Sequence, residues 1–208
     1  MPGAIWQISF FTGFGKYGLI GHINLEHPAI FLKYQSDETI VRVRPMVEKI
    51  KADTVEIVPF ADQYRDAWRD INVQWLETYF YLEPEDRKNL DQPEKYILDK
   101  GGEIFIALLQ GEPVGVVALK YFGQARYEIS KMGVRPKAQG HGIGARLLTH
   151  AIDRYHDRKG QELFLETHSK LETAIRLYEK CGFVEAPLSE DTPYDRADYC
   201  MIYQPVIK

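Results

Sequence analysis

The chain has 208 residues, 45% of them hydrophobic, and a formal net charge of −4 at neutral pH. That length and apolar content suffice for one well-packed domain with an extension, and the mildly acidic balance argues against general nucleic-acid binding, which needs a basic stripe. No apolar run is long enough to span a membrane, the first residues lack the pattern of a secretory signal, and Cys181 and Cys200 are too few for a disulfide framework. A cytoplasmic protein with neither membrane nor nucleic acid as partner is expected.

Residues 1–53 stand apart. They are rich in Phe, Ile and Gly, and alternation at 30–34 and 39–43 suits a small hairpin. Two readings of this region stand side by side. In one, Met46 is the biological start and the upstream part is an over-called reading frame; in the other, the region is an added strand pair serving a homodimer. No motif there carries chemistry.

From residue 54 the pattern becomes regular. Val55, Ile57 and the stop at Pro59 give a strand, and Tyr64, Ala67, Trp68, Ile71 and Trp75 recur at helical spacing behind Asp62, a suitable cap. The acidic, Pro-punctuated stretch 83–99 predicts one or two brief helices. Residues 103–109 and 114–121 read as strands joined by Gln110-Gly111, a hairpin. A strand over 127–134 feeds a glycine-dense turn that opens onto a helix at 145–156. Residues 162–166 read as a buried strand, 174–183 as a helix stopped by Gly182, and 198–204 as the strand closing the sheet.

The glycine turn carries the first chemical signal. The first amides of a helix have no partner inside it, and with the helix dipole they form a receptor for phosphate. Glycine at 140, 142 and 144 removes the side chains that would crowd it. Neither the G-x-G-x-x-G of dinucleotide turns nor the G-K-[ST] of triphosphate loops is present. What is present is Gln139-x-x-Gly142-x-Gly144. Downstream, Ala174, Leu177, Tyr178, Lys180, Gly182 and Phe183 follow the pattern A-x-x-L-Y-x-K-x-G-F. Together, in this order, the two blocks resemble the acyl-coenzyme A signature and second conserved block of the Gcn5-related N-acetyltransferase (GNAT) superfamily.

The resemblance implies a GNAT fold over residues 54–208: an α/β domain with a central mixed, largely antiparallel sheet flanked by helices. It implies acetyl-coenzyme A as acyl donor and transfer to a primary amine by direct attack in a ternary complex. On these motifs the donor contacts fall to Met132, Gly133 and Val134 of the strand and to Gln139, Gly140, His141, Gly142, Ile143 and Gly144 of the turn, with His141 at a freely variable position. Arg135 and Lys137 flank the turn as cations for a polyanion. Many members carry an asparagine where this chain has Leu171, and Ser169 is the nearest polar substitute.

The chemistry requires a proton acceptor, since a free amine with a pKa of about 10 is mostly protonated at neutral pH. Glu128 on the strand feeding the turn is the expected base, directly or through water; a solvated strand charge is the competing reading. Parity places it on one face with Ser130 and Met132 unless a bulge intervenes. An amide near residues 132–134 is the expected oxyanion donor. Tyr178 matches the position of the acid that meets the leaving thiolate, against the alternative of a packed core phenol.

Glu162, Glu166 and His168 share a strand face without a fourth ligand, so no metal is expected. Arg126 and Lys131 read as surface charges. Asn72, Trp75, Tyr79, Phe80, Glu83 and Asp86 form an aromatic and acidic group for an acceptor, although Glu83 and Asp86 also suit a helix start. Thr192-Pro193-Tyr194-Asp195-Arg196-Ala197 resembles an element of a bacterial subgroup of these enzymes, and Arg196 suits a substrate carboxylate or a salt bridge bracing its loop. The small-molecule amine so implied is an amino acid or polyamine-like metabolite. A protein N-terminal or lysine acetyltransferase, and a non-catalytic acyl-coenzyme A-binding regulatory module, are the alternatives.

Overall fold

The computed structural model describes residues 5–12, 15–23, 30–34 and 55–204, and the chain divides into two compact units, Met1–Thr54 and Val55–Lys208. In the first unit, β1 (Ile5–Thr12), β2 (Gly15–Ile23) and β3 (Ile30–Tyr34) form an antiparallel sheet in that order. The strand at 30–34 is where its alternation puts it. Among the described residues its partner is β2, in a register running from Leu19↔Tyr34 to Ile23↔Ile30; residues 39–43 lie outside the described residues. Gly15, Gly18 and Gly21 break up the apolar run of β2, which hides it from a periodicity rule.

The second unit is built on a seven-stranded sheet. Its elements in order are β4 (Val55–Pro59), α1 (Arg65–Tyr79), α2 (Pro84–Asp91), β5 (Glu103–Leu109), β6 (Glu112–Tyr121), β7 (Arg126–Val134), α3 (Ile143–Asp157), β8 (Glu162–Thr167), α4 (Glu172–Lys180), β9 (Phe183–Ala186) and β10 (Tyr199–Tyr203). The strands run β4-β5-β6-β7-β8-β10-β9, and every described pairing is antiparallel except β7 with β8. Gln110 and Gly111 both take left-handed φ, 57° and 83°, as a tight two-residue hairpin between β5 and β6 demands.

Both faces of the sheet are covered, which explains the unbroken apolar runs of its central strands. Phe105, Ala107, Val117 and Leu119 pack with Leu147, Leu148 and Ala151 of α3, whereas Ile104, Ile106, Val116 and Ala118 pack with Trp68, Ile71 and Leu76 of α1. Alternate residues of β5 and β6 thus serve opposite layers. Burying each such side chain contributes about 1.5–3 kcal/mol.

Helix starts deviate locally from expectation. A 3-10 turn at Asp62–Tyr64 precedes α1, and Asp62 makes no cap: its carboxylate accepts a 2.9 Å bond from Arg65 Nε. Residues 83–99 contain α2 and a π-helical turn, Glu94–Leu98. At α2, Pro84 supplies the first turn while Glu83 and Asp86 form a reciprocal capping box.

Gly102, between that turn and β5, has no room for a side chain: a Cβ there would lie 2.8 Å from the Leu119 carbonyl oxygen and 2.9 Å from that of Ile97. Gly102→Ala should therefore cost about 1–3 kcal/mol of stability, because backbone atoms cannot step aside as a side-chain tip does. Urea unfolding of the two proteins checks it; equal midpoints would contradict the packing described.

Candidate active site

The parallel pairing of β7 and β8 is brief. It joins Arg126 to Glu162, Tyr127 to Leu163 and Glu128 to Phe164, after which β7 continues against β6 and β8 against β10. The two strands part, and a cavity of ≈ 930 Å³ lies against residues of both. Such a volume suits a cosubstrate-sized ligand. Its wall contains Glu128 to Val134 of β7 and Glu166 and Thr167 of β8, with Trp75, Tyr79 and Phe80 from the end of α1.

A bulge alters the faces of β7. Ser130 pairs with Ala118 and Gly133 with Val116, so Lys131 and Met132 together oppose Val117. Gly133, and not Met132, thereby returns to the face of Glu128 and Ser130; Met132 packs in the α3 layer. A Cβ at Gly133 would meet Ile71 Cγ2 at 3.3 Å, so α1 lies close over this face.

The glycine turn leads from β7 into α3. Gly140 and Gly142 adopt φ of 80° and 71°, a region that penalises other residues, and a Cβ at either would meet nothing within 4 Å. Gly144 is within the helix, where a Cβ would meet only Leu177, at 3.6 Å. The first bond across the helix start runs from the Arg146 N–H to the Gly142 carbonyl at 3.1 Å. Amides 143 to 145 consequently have no acceptor inside the helix. Gln139 steadies the turn by donating from Nε2 to the Val134 carbonyl at 3.1 Å. These features fit a pyrophosphate, with Gln139, Gly140, Gly142, Ile143 and Gly144 all on the cavity wall. His141 is not on it: its Nδ1 lies 3.0 Å from the Gln139 carbonyl oxygen. Arg135 Nε donates to the Pro113 carbonyl at 3.1 Å, and Lys137 is exposed.

Tyr178 projects from α4 to the cavity wall, 8% exposed, its ring edge-on to Phe183. Burial pushes its phenol up to about 12, so it stays protonated at neutral pH. Glu128 is buried and paired with Lys120 Nζ at 3.3 Å. Glu166, on the opposing strand, accepts a hydrogen bond from the Thr192 hydroxyl, and burial together with the Glu128 charge raises its pKa above the ordinary carboxylate value. Ser169 lies off the wall, its amide and hydroxyl both donating to Asp198, at 2.7 and 2.8 Å.

Next to the part of the wall formed by Lys131, Tyr194 and Arg196 sits a buried charge cluster. Asp86, with no exposed side-chain surface, accepts from Arg196 Nη1 and Nη2 at 2.7 and 2.9 Å and from Lys131 Nζ at 2.8 Å. Glu83 accepts the backbone amides of Asp195 and Arg196 at 3.0 and 3.1 Å. Burial alone would raise the Asp86 pKa, but the Arg196 hydrogen bonds and the Lys131 charge outweigh it and hold the carboxyl below its usual range. The cluster ties the start of α2 to the loop before β10. Arg196 reaches the cavity wall with its fork already taken, and Glu83 is not on the wall. Lys131 is corrected outright: its side chain is only 5% exposed, because the bulge turns it into the protein. Arg126 is half-exposed and donates to Glu162 at 2.7 Å. Asn72 is buried on the wall, its amide donating to the Trp68 carbonyl at 2.9 Å. Among the described residues no group of His, Cys, Asp and Glu could hold a metal ion.

The model of the acetyltransferase (GNAT) family matches residues 63–183. The chain belongs to the GNAT acetyltransferase family. Family members use acetyl-coenzyme A as acyl donor in N-acetyl transfer. The N-alpha-acetyltransferase RimI of Mycobacterium tuberculosis is 34% identical to this GNAT protein over 76 residues, which is 35% of this chain and 46% of RimI, so the match spans about half the length of that relative. A GNAT acetyltransferase from Staphylococcus aureus Mu50 shares the fold with a TM-score of 0.65 at 19% identity, covering 72% of this chain and 98% of the other. The PaiA N-acetyltransferase of Thermoplasma acidophilum, solved with coenzyme A, has a TM-score of 0.59 at 17% identity over 73% and 99% of the two chains.

Lys131 and Tyr194 were not assigned to the site on sequence grounds, and Glu166 was weighed there only for a structural or substrate role in place of a metal ligand. The strand of Lys131 also carries Arg126, Glu128 and Ser130, so its composition held no signal of the buried pair. In this GNAT protein Asp86→Asn should cost about 3–5 kcal/mol at neutral pH by leaving the buried Lys131 without its paired carboxylate and Arg196 with Glu83 alone. Since folding lowers the Asp86 pKa, its stabilisation is present above the unfolded value of about 4 and is lost as pH falls through the folded value. The difference between the two proteins in denaturant melts should therefore shrink in acid; a gap that does not change with pH would refute the assignment.

Proposed function

We propose that the protein transfers an acetyl group from acetyl-coenzyme A to the primary amine of a cationic small molecule, a polyamine-like metabolite, by direct attack in a ternary complex. The observation carrying this reading is the charge arrangement at the acceptor end. Glu166 and Glu128, the latter paired with Lys120, are on the same wall as Trp75, Tyr79 and Phe80, while the cations Lys131 and Arg196 are engaged by Asp86. Carboxylates and aromatic rings suit an ammonium group. An amino acid would also need a cation for its carboxylate; the Arg196 fork is occupied, and Lys170 Nζ, over the Phe80 ring, already donates to the Tyr79 carbonyl at 2.7 Å.

In this reading the free amides of the glycine turn hold the donor pyrophosphate, and Met132, Gly133 and Val134 line the path of its pantetheine arm. The donor supplies an activated acyl carbonyl. A β7 amide near residues 132–134 meets the negative charge that develops on its oxygen. Glu128 or Glu166 takes the proton of the incoming amine, with Glu166 the better poised because its pKa is raised toward the working pH. Tyr178, kept protonated by burial, donates to the departing thiolate. Asn72 and Trp75 shape the acceptor pocket.

A second reading, acetylation of a protein N-terminus, is favoured by the match to RimI. Following thiol release from acetyl-coenzyme A against pools of polyamines, amino acids and short peptides separates them. Turnover with polyamines supports the first reading, and turnover with peptides alone supports the second. Donor binding without thiol release in any pool would mark a regulatory module and overturn both. Tyr178→Phe should lower turnover by roughly 10²-fold while leaving donor affinity nearly unchanged. Replacing each carboxylate in turn by glutamine, Glu128→Gln and Glu166→Gln, should identify the base: the variant that loses the acid limb of the pH–rate profile names it.

A further inference from the structure

Lys131 carries a conformational cost that nothing in its own strand offsets. Its φ of 50° places a residue with a Cβ in the left-handed region, at the bulge of β7. That region costs about 1–2 kcal/mol for most residues, and a non-glycine there persists when its surroundings over-determine it. The surroundings do so here. Lys131 Nζ donates to Asp86 Oδ1 at 2.8 Å and to the Tyr194 hydroxyl at 2.7 Å, and it lies 4.3 Å from the centre of the Tyr194 ring. The first partner belongs to α2 and the second to the loop before β10. Neither belongs to the sheet.

The bulge decides which groups of β7 face the cavity. Because Lys131 and Met132 together oppose Val117, Gly133 returns to the face of Glu128 and Ser130 beneath Ile71 and Trp75. If the backbone of residue 131 relaxed to an extended conformation, register would slip by one and every following residue would exchange faces. The amides of residues 132–134 would be re-aimed with it.

We infer that Lys131 is a positioning residue: its ammonium, held by Asp86 and Tyr194, locks the bulge that aims the β7 amides at the donor's acyl carbonyl. This rests on the acetyltransferase reading, and it makes the acceptor-side loop and the acyl cradle one mechanical unit. Lys131→Met keeps the volume of the stem and removes the ammonium, and Asp86 retains both bonds from Arg196, so the fold keeps its central ion pair. Lys131→Gly also removes the ammonium but adopts positive φ without strain.

The experiment uses acetyl-coenzyme A labelled with ¹³C at the thioester carbonyl, bound to the full-length protein, with the carbonyl stretch read by isotope-edited infrared spectroscopy and coenzyme A affinity by calorimetry. It requires no acceptor. The wild-type protein should shift the stretch to lower wavenumber, as a hydrogen-bonded carbonyl does. Lys131→Met should lose most of that shift with coenzyme A affinity changed by no more than roughly threefold, because the pyrophosphate contacts lie on the turn and not on the bulge. Lys131→Gly should recover part of it. A folded Lys131→Met variant with the wild-type shift, or a Lys131→Gly variant no better than Lys131→Met, would overturn the positioning role. A wild-type protein that binds no acetyl-coenzyme A would overturn the acetyltransferase reading itself, and the positioning role with it.

Discussion

Strands β7 and β8 pair for three residues and then part, each committed to a different antiparallel neighbour, and the main-chain groups exposed by that parting govern the site. Buried backbone donors and acceptors need partners. Within a sheet the neighbouring strand provides them; in a split the requirement passes to water or to a ligand with amides and carbonyls of its own. The glycine turn continues the same principle at the end of β7, where the first amides of α3 lack internal acceptors. A long, thin ligand with a polyanionic end and an amide-bearing arm can therefore be held almost wholly by main chain.

Holding a sheet open asks for rigidity on both sides of the gap. On one side α3 packs Leu147, Leu148 and Ala151 against the sheet, fixing the turn. On the other, Glu83, Asp86, Lys131 and Arg196 bring two acids and two bases together in the interior. Each of these charges is costly to desolvate, and the pairing recovers that cost because every member is hydrogen-bonded. What the cluster adds over an apolar packing is direction. A bidentate guanidinium and a capped helix start fix the loop before β10 against the start of α2.

The glycine turn, the α4 block and most strands of the second unit are visible in the sequence because they are local. Gly140, Gly142 and Gly182 meet demands of their own φ, and the apolar runs of β5 and β6 reflect burial on both faces. The sequence reading of Glu83 and Arg196 as acceptor contacts reflects a different limit. Residue type and proximity to a motif suggest what a carboxylate or guanidinium can bind, but not whether another part of the chain has already bound it. Arg196 and Asp86 are separated by 110 positions. Ser169 is similar: polar and near the expected position, it is satisfied by Asp198.

Face assignment shows where local reasoning stops. Parity along β7 places Glu128, Ser130 and Met132 together, and one extra residue at the bulge replaces Met132 by Gly133. No rule of composition marks Lys131 as left-handed, since its conformation is maintained by Asp86 and Tyr194 and not by its own side-chain preference. By itself the sequence determined most elements of the second unit, the glycine turn and the family, all consequences of backbone preference and periodicity over a few residues. Only the tertiary structure decided which charges face the cavity and which neutralise one another, because that choice depends on distances between segments far apart in the chain.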